Sequence, residues 1–305
     1  MQSCWGFRQT IVGLIGLTLF ATSSARGQSP PRSLQNAERA DTAAVAVDST
    51  REIRTSATDT TARGGPNRIA LFRPRDAAAT VGVAAVVFSA MQADRSIARV
   101  FQRPGVQSRG LRGAANGLSA LANPGTIIFS VGAYVTGRVT HSQPIAALGL
   151  RTGEAVMVGG AMTAALKGTF GRARPRVDIT KPHEFELGKG FGNDEYTSFP
   201  SGDVTLAFAA ATAASREVSR SWPGAAKYVT PTVYGVASLV AVSRLYKNEH
   251  WASDVIGGAG VGTLAGILVD RFNRARPNNI VERILLPASI VPARDQMLVV
   301  WRLQP

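Results

Sequence analysis

The sequence of 305 residues contains a single cysteine, Cys4, and only five lysines among its 34 basic residues. One thiol excludes a disulfide framework and any cysteine-rich metal site. Three histidines are all the imidazole the chain has for acid–base or nucleophilic work. No zinc-ligand spacing, no glycine-rich phosphate loop with its lysine and no repeat of solenoid length is present. Uninterrupted apolar runs are mostly shorter than the ~20 residues that a membrane-spanning helix needs. Acid is scarce as well: 20 Asp and Glu leave a net charge of +14, which points to an anionic partner such as a phosphate ester, an anionic lipid headgroup or nucleic acid. The apolar share of 45% is ample for a core.

The N-terminus has Arg8, an apolar run from Ile11 to Ala21 and then small residues, the pattern of a secretory signal peptide cleaved after Ala25 or Gly27. Residues 1–27 are therefore expected to be a leader, with an uncleaved membrane anchor as the alternative. Cys4 precedes the apolar run, so it is not placed like a lipoprotein cysteine. Residues 28–70 are rich in Ala, Ser, Thr, Arg and Asp with almost no large apolar side chains, which predicts a disordered linker. From Asp76 onward come six apolar segments, at 77–93, 118–137, 146–166, 203–215, 228–243 and 252–270. Their lengths and Ala, Gly and Leu content predict an all-α six-helix bundle over residues 71–275. In the tail, 276–305, two β-rich runs flank a polar "ARDQ" turn and predict a small C-terminal β-hairpin.

Three clusters carry candidate chemistry. "LKGTFGRARPR" crowds Lys167, Arg172, Arg174 and Arg176 together, with Pro175 stiffening the chain. "SFPSGDV" looks like a helix start, where unpaired backbone N–H groups and the dipole favour an anion, yet it carries a carboxylate, Asp203. Asp203 either caps its helix or does chemistry. "SRLYKNEHWASDV" holds Arg244, His250 and Asp254. On one helix, the i,i+4 offset would put His250 and Asp254 on the same face. Asp254 would then accept Nδ1–H and leave the Nε2 lone pair free to attack.

Together the clusters resemble the type 2 phosphatidic acid phosphatase (PAP2) family, which shares its core with bacterial acid phosphatases and vanadium haloperoxidases. The family's motifs are Lys, six residues, Arg-Pro; Pro-Ser-Gly-His; and Ser-Arg, five residues, His, three residues, Asp. The sequence has Lys167, "GTFGRA", Arg174-Pro175; then Pro200-Ser201-Gly202-Asp203; then Ser243-Arg244, "LYKNE", His250, "WAS", Asp254. Order and spacing agree throughout, over about residues 76–272. One position departs: Asp203 stands where the family has histidine.

The resemblance implies a metal-independent phosphatase with no cofactor. Lys167, Arg174 and Arg244, with Ser201 and the Gly202 N–H, would hold the phosphoryl oxygens. His250 would attack phosphorus to form a phosphohistidine, Asp254 would orient it, and Asp203 would be the general acid. An Asp serves there only when protonated, so an acid-shifted optimum is expected; His183, Asp194 and Glu195 are the alternative acids. The implied partners are a phosphorylated lipid or small phosphate ester and a bacterial membrane, not nucleic acid. The implied placement is the cell envelope, as a membrane-associated bundle or a soluble exported domain. If the N-terminus is exported and all six helices span, the loop after the third faces the cytoplasm, opposite to the usual placement of the site in the family's membrane members. Two other readings remain open: a phosphate-binding envelope protein without turnover, and a vanadium-dependent haloperoxidase.

Overall fold

A computed structural model describes residues 70–277, 279–285, 288–293 and 296–301. The expected leader and most of the expected linker, residues 1–69, lie outside the described residues. Nine α-helices and two strands follow in order: α1 Pro74–Met91, α2 Asp94–Phe101, α3 Arg109–Ala122, α4 Gly125–Val139, α5 Gln143–Phe170, α6 Gly202–Ser221, α7 Pro223–Tyr246, α8 Ala252–Ala275, α9 Ile280–Leu285, β1 Ala288–Ala293 and β2 Gln296–Trp301. The described part is all-α apart from β1 and β2, which pair antiparallel in the register Ala288↔Trp301 to Ala293↔Gln296.

The apolar segment expected at 118–137 is two helices. It breaks at Asn123–Pro124, and the axes of α3 and α4 differ by 46°. Proline has no N–H to give to the ladder and disfavours helical geometry in the residue before it, so the periodicity on either side did not carry through. A second bend, of 64°, separates α1 from α2. Of the described single helices, α8 alone is long and apolar enough to cross a membrane; counting each bent pair as one span raises the number to three.

The centre of the bundle is α5, α6 and α8, packed through small side chains. Ala155 of α5, Ala209 and Ala213 of α6 and Ala265 of α8 are buried together with Val269. At Gly262 a Cβ would lie 2.3 Å from the Thr205 carbonyl oxygen, so α6 and α8 approach each other at backbone distance. A second cluster, Ala122, Ala207, Ala211, Ala237 and Val240, joins α6 and α7 to α3. Large apolar side chains point outward instead: Val81, Phe88, Ile128, Val131, Met157 and Leu239 are all exposed.

The ends of the central helices converge. α5 stops at Gly171, whose φ of 52° lies in the left-handed region and whose missing Cβ would sit 1.8 Å from the Glu186 carbonyl oxygen. The chain then runs through a long connection, with two short 3₁₀ turns, to the N-terminus of α6. The Ser201 N–H donates to the Asp254 carbonyl at 3.0 Å, fastening the start of α6 to the start of α8.

Candidate active site

All three motif clusters meet at this junction. Lys167, one turn before the end of α5, donates through Nζ to the Thr197 carbonyl oxygen. Arg174 donates Nη2 to Thr197 Oγ1 at 2.9 Å, so the two cations grip the same residue. Arg174 Nη1 reaches Glu249 Oε2 at 2.6 Å, and Arg244 Nη2 lies 4.0 Å from the same oxygen. A Cβ on Gly202 would lie 3.6 Å from Lys167 Cε, which puts the α6 N-terminus against the ammonium. Burial, with Arg174 nearby, lowers the Lys167 pKa to about 8.

Ser201 is the N-cap of α6 but caps nothing with its side chain: its Oγ is buried and has no partner among the described residues. Arg244 Nε is buried and unpartnered in the same way. Native interiors rarely leave such groups orphaned, and here both stand beside a helix N-terminus, the ordinary surroundings of a bound oxyanion. Asp203 takes no capping role. It forms an ion pair with Arg244, Oδ2 to Nη1 at 3.0 Å, with its side chain 22% exposed.

His250 and Asp254 are not both on α8: the helix begins at Ala252, and His250 precedes it by two residues. The left-handed Asn248, φ 60°, ends α7 and turns the chain so that the imidazole enters the junction. Its Nδ1 lies 2.7 Å from the Ser198 carbonyl oxygen and 3.9 Å from Asp254 Oδ2. Only the first is a hydrogen-bond distance, so the expected Asp254–Nδ1 bond is replaced by one to backbone. A carbonyl only accepts, so Nδ1 carries the proton and Nε2 keeps its lone pair. Burial lowers the imidazole pKa to about 4, which keeps it neutral in ordinary buffers.

Asp254 is fully buried and works at one remove. It accepts from Ser198 Oγ at 2.5 Å and from the Trp251 N–H at 2.8 Å, so it braces the residue that holds Nδ1 and the residue after His250. It also pairs with Arg172 Nη1 at 2.5 Å. Arg172 in turn pairs through Nη2 with Asp94 of α2 at 2.7 Å, and Asp94 accepts from the Ser253 N–H and Oγ at 2.9 and 2.5 Å. Arg172, Asp94 and Asp254 are each 0% exposed.

Sequence reasoning missed two members of this arrangement. Asp94 lies far outside the motif clusters, and nothing in "QADRSIARV" distinguishes it from an ordinary helix-start acid. Glu249 was visible only as a neighbour of His250, yet it stands among Arg174, Arg176 and Arg244. Asp194 is also at the junction, paired with Arg174 and Arg176 at 3.1 and 3.0 Å. Glu195 contributes its backbone carbonyl to the Arg174 N–H, and the His183 side chain is exposed.

Comparison with known proteins bears on the same part of the chain. Residues 148–278 match the PAP2 superfamily. Over 109 residues, 36% of the chain, the sequence is 42% identical to the lipid A 1-phosphatase of Porphyromonas gingivalis; the match covers 20% of that protein, so the chain spans about a fifth of the length of this curated relative. Two solved structures are similar at lower identity. One is the transmembrane PAP2 type phosphatidylglycerolphosphate phosphatase of Bacillus subtilis, 17% identical over 65% of this chain and 96% of that one at a TM-score of 0.47. The other is LpxE of Aquifex aeolicus, 20% identical over 57% and 92% at a TM-score of 0.42.

Proposed function

Because this chain belongs to the PAP2 superfamily through residues 148–278, we propose that it is a phosphatase that hydrolyses a phosphate monoester or lipid phosphate at the junction of α5, α6 and α8. The observation that carries this reading is the convergence of Lys167, Arg174, Arg244 and the orphaned Ser201 hydroxyl around a neutral, tautomer-fixed His250.

In the proposed reaction, Lys167, Arg174 and Arg244 hold the non-bridging oxygens with help from Ser201 and the Gly202 N–H. Negative charge spreads over those oxygens in the transition state, and fixed cations lower the barrier without reorganising. The Nε2 lone pair of His250 attacks phosphorus in line, the ester P–O bond breaks, and the phosphoryl group passes to the imidazole. The Ser198 carbonyl accepts Nδ1–H throughout, and Asp254 holds Ser198 in place and offsets the charge the ring gains. Asp203 protonates the departing oxygen from the position beside Arg244. Water then attacks the phosphohistidine and gives its proton back to Asp203, which releases phosphate and restores His250. The chemistry needs no metal and no redox partner.

The 42% identical relative is a lipid phosphatase by name, and the outward-facing apolar side chains suit a bilayer, so the proposed substrate is a phosphorylated lipid in the bacterial cell envelope. The test is phosphate release by the full chain in detergent from phosphatidate and from a soluble aryl phosphate, from acidic to alkaline pH. Wild type should release phosphate, His250→Ala should be inactive, and Asp203→Asn should lose most turnover. Loss with His250→Ala alone would reduce Asp203 to a partner of Arg244. An inactive wild type that still binds phosphate or vanadate would overturn turnover altogether.

A further inference from the structure

The phosphate cradle borders a second cavity of about 340 Å³, lined by Gln102, Arg112, Asn116, Lys247, Asn248 and Glu249. Its walls are tied down. Gln102 and Gln107 each donate Nε2 to the Tyr246 carbonyl, at 3.2 and 3.1 Å, and the Ser108 N–H donates to the Tyr246 hydroxyl at 2.8 Å. The connection between α2 and α3 is thereby fastened to the end of α7.

The lining is polar and its cations are available. Among the described residues neither Arg112 nor Lys247 pairs with a carboxylate: Arg112 donates to Gln107 Oε1 at 3.0 Å, and Lys247 reaches only Ser119 Oγ, at 3.5 Å. The one carboxylate of the wall, Glu249, is taken by Arg174 at 2.6 Å. Asn248 Oδ1 is buried with no partner. The cavity also has a fixed relation to the cradle, because Ser119 Oγ, 3.5 Å from Lys247 Nζ, accepts from Arg244 Nη1 at 3.2 Å. Arg244 pairs with Asp203, so the cavity lies on the side where the departing oxygen collects its proton.

We propose that this cavity is a second anion subsite, and that the preferred substrate carries a further phosphoryl group on its leaving side, bound by Lys247 and Arg112. The proposal rests on the phosphatase reading for the roles of Arg244 and Asp203. Unpaired cations among side-chain amides match the geometry and hydration of a phosphoryl group and offer nothing to an acyl chain. Arg244 and Lys247 share one hydroxyl neighbour, a spacing that suits two adjacent phosphoryl groups, as in a diphosphate ester, better than groups at opposite ends of a headgroup.

The test is calorimetric titration of the full chain in detergent with inorganic phosphate and with methylenediphosphonate, which cannot be hydrolysed. Wild type should bind the diphosphonate about tenfold more tightly, the worth of one added charge-assisted contact. The preference should shrink in Lys247→Gln and in Arg112→Gln and disappear in the double variant. In parallel, kcat/KM for an alkyl diphosphate relative to the matching alkyl phosphate should fall in the same variants. Equal affinities in wild type, a preference that survives the double substitution, or equal loss of both ligands in every variant would each overturn the subsite. A wild type that prefers the diphosphonate but hydrolyses neither ester would overturn turnover and leave the subsite standing.

Discussion

Replacing Asp94 tests whether the site is built as the distances indicate. Its carboxylate takes one of the two ionic contacts of a guanidinium with no access to solvent, and also accepts two hydrogen bonds from Ser253 at the start of α8. Removing one partner from a buried ion pair costs about 3–5 kcal/mol, and each buried donor left without an acceptor costs about 1–3 kcal/mol more. These costs overlap, since Arg172 keeps Asp254 and the Pro182 carbonyl, so Asp94→Ala should lose about 5 kcal/mol. Asp94→Asn keeps an acceptor for Ser253 and should lose about 3 kcal/mol. At about 2–4 °C per kcal/mol for a domain of this size, the melting temperature of Asp94→Asn in detergent should fall by about 6–12 °C. The activity of folded Asp94→Asn, measured well below its melting temperature, should also fall, because Arg172 is then free to move Asp254. A melting temperature within about 1 °C of wild type would refute the reasoning, since a buried three-way charge cluster cannot lose a member at no cost.

Three further outcomes are expected. Lys167, lowered to about 8, loses its charge as pH rises through that value, so KM for any phosphate ester should climb above about pH 8, whereas His250, lowered to about 4, stays neutral down to acidic pH; Lys167→Arg should remove the alkaline rise, and a KM independent of pH up to 10 in wild type would count against the assignment. Glu249→Gln removes a negative charge from among Arg174, Arg176 and Arg244 and should lower KM about fivefold, roughly 1 kcal/mol of relieved repulsion; a raised KM would mean that Glu249 serves instead to aim Arg174. Gly171→Ala places a Cβ against the Glu186 carbonyl at a left-handed position and should cost at least about 2 kcal/mol in thermal unfolding; an unchanged melting temperature would show that the turn relaxes freely.

What could be read from the sequence follows from the range of each interaction. Motif residues announce themselves because Lys167, Arg174, Arg244 and His250 stand at fixed separations along helix ends, and periodicity finds α5 to α8 because each buries a continuous apolar stripe. The break at Pro124 was masked by apolar residues on both sides, although proline itself was the signal. Backbone acceptors carry no side-chain signature, so the Ser198 carbonyl could not be seen as the partner of His250, and the nearest carboxylate, Asp254, took its place in the expectation. Asp94 was invisible for another reason: its partners Arg172 and Ser253 come together only when α2 docks against α8, and nothing local records that.

The fastening of the α2–α3 connection to Tyr246 divides labour within the chain. Bond-making groups lie between Lys167 and Asp254, locked by the seam where the Ser201 N–H meets the Asp254 carbonyl, while Gln102, Arg112 and Asn116 approach the same opening from an earlier and separate stretch. Substrate preference can therefore drift by substitutions in 102–116 without touching the residues that break the ester. The limit on that drift is Asp94: a graft from another protein that replaces α2 along with the connection must bring a buried carboxylate of its own, or the new specificity arrives on a site that no longer holds its shape.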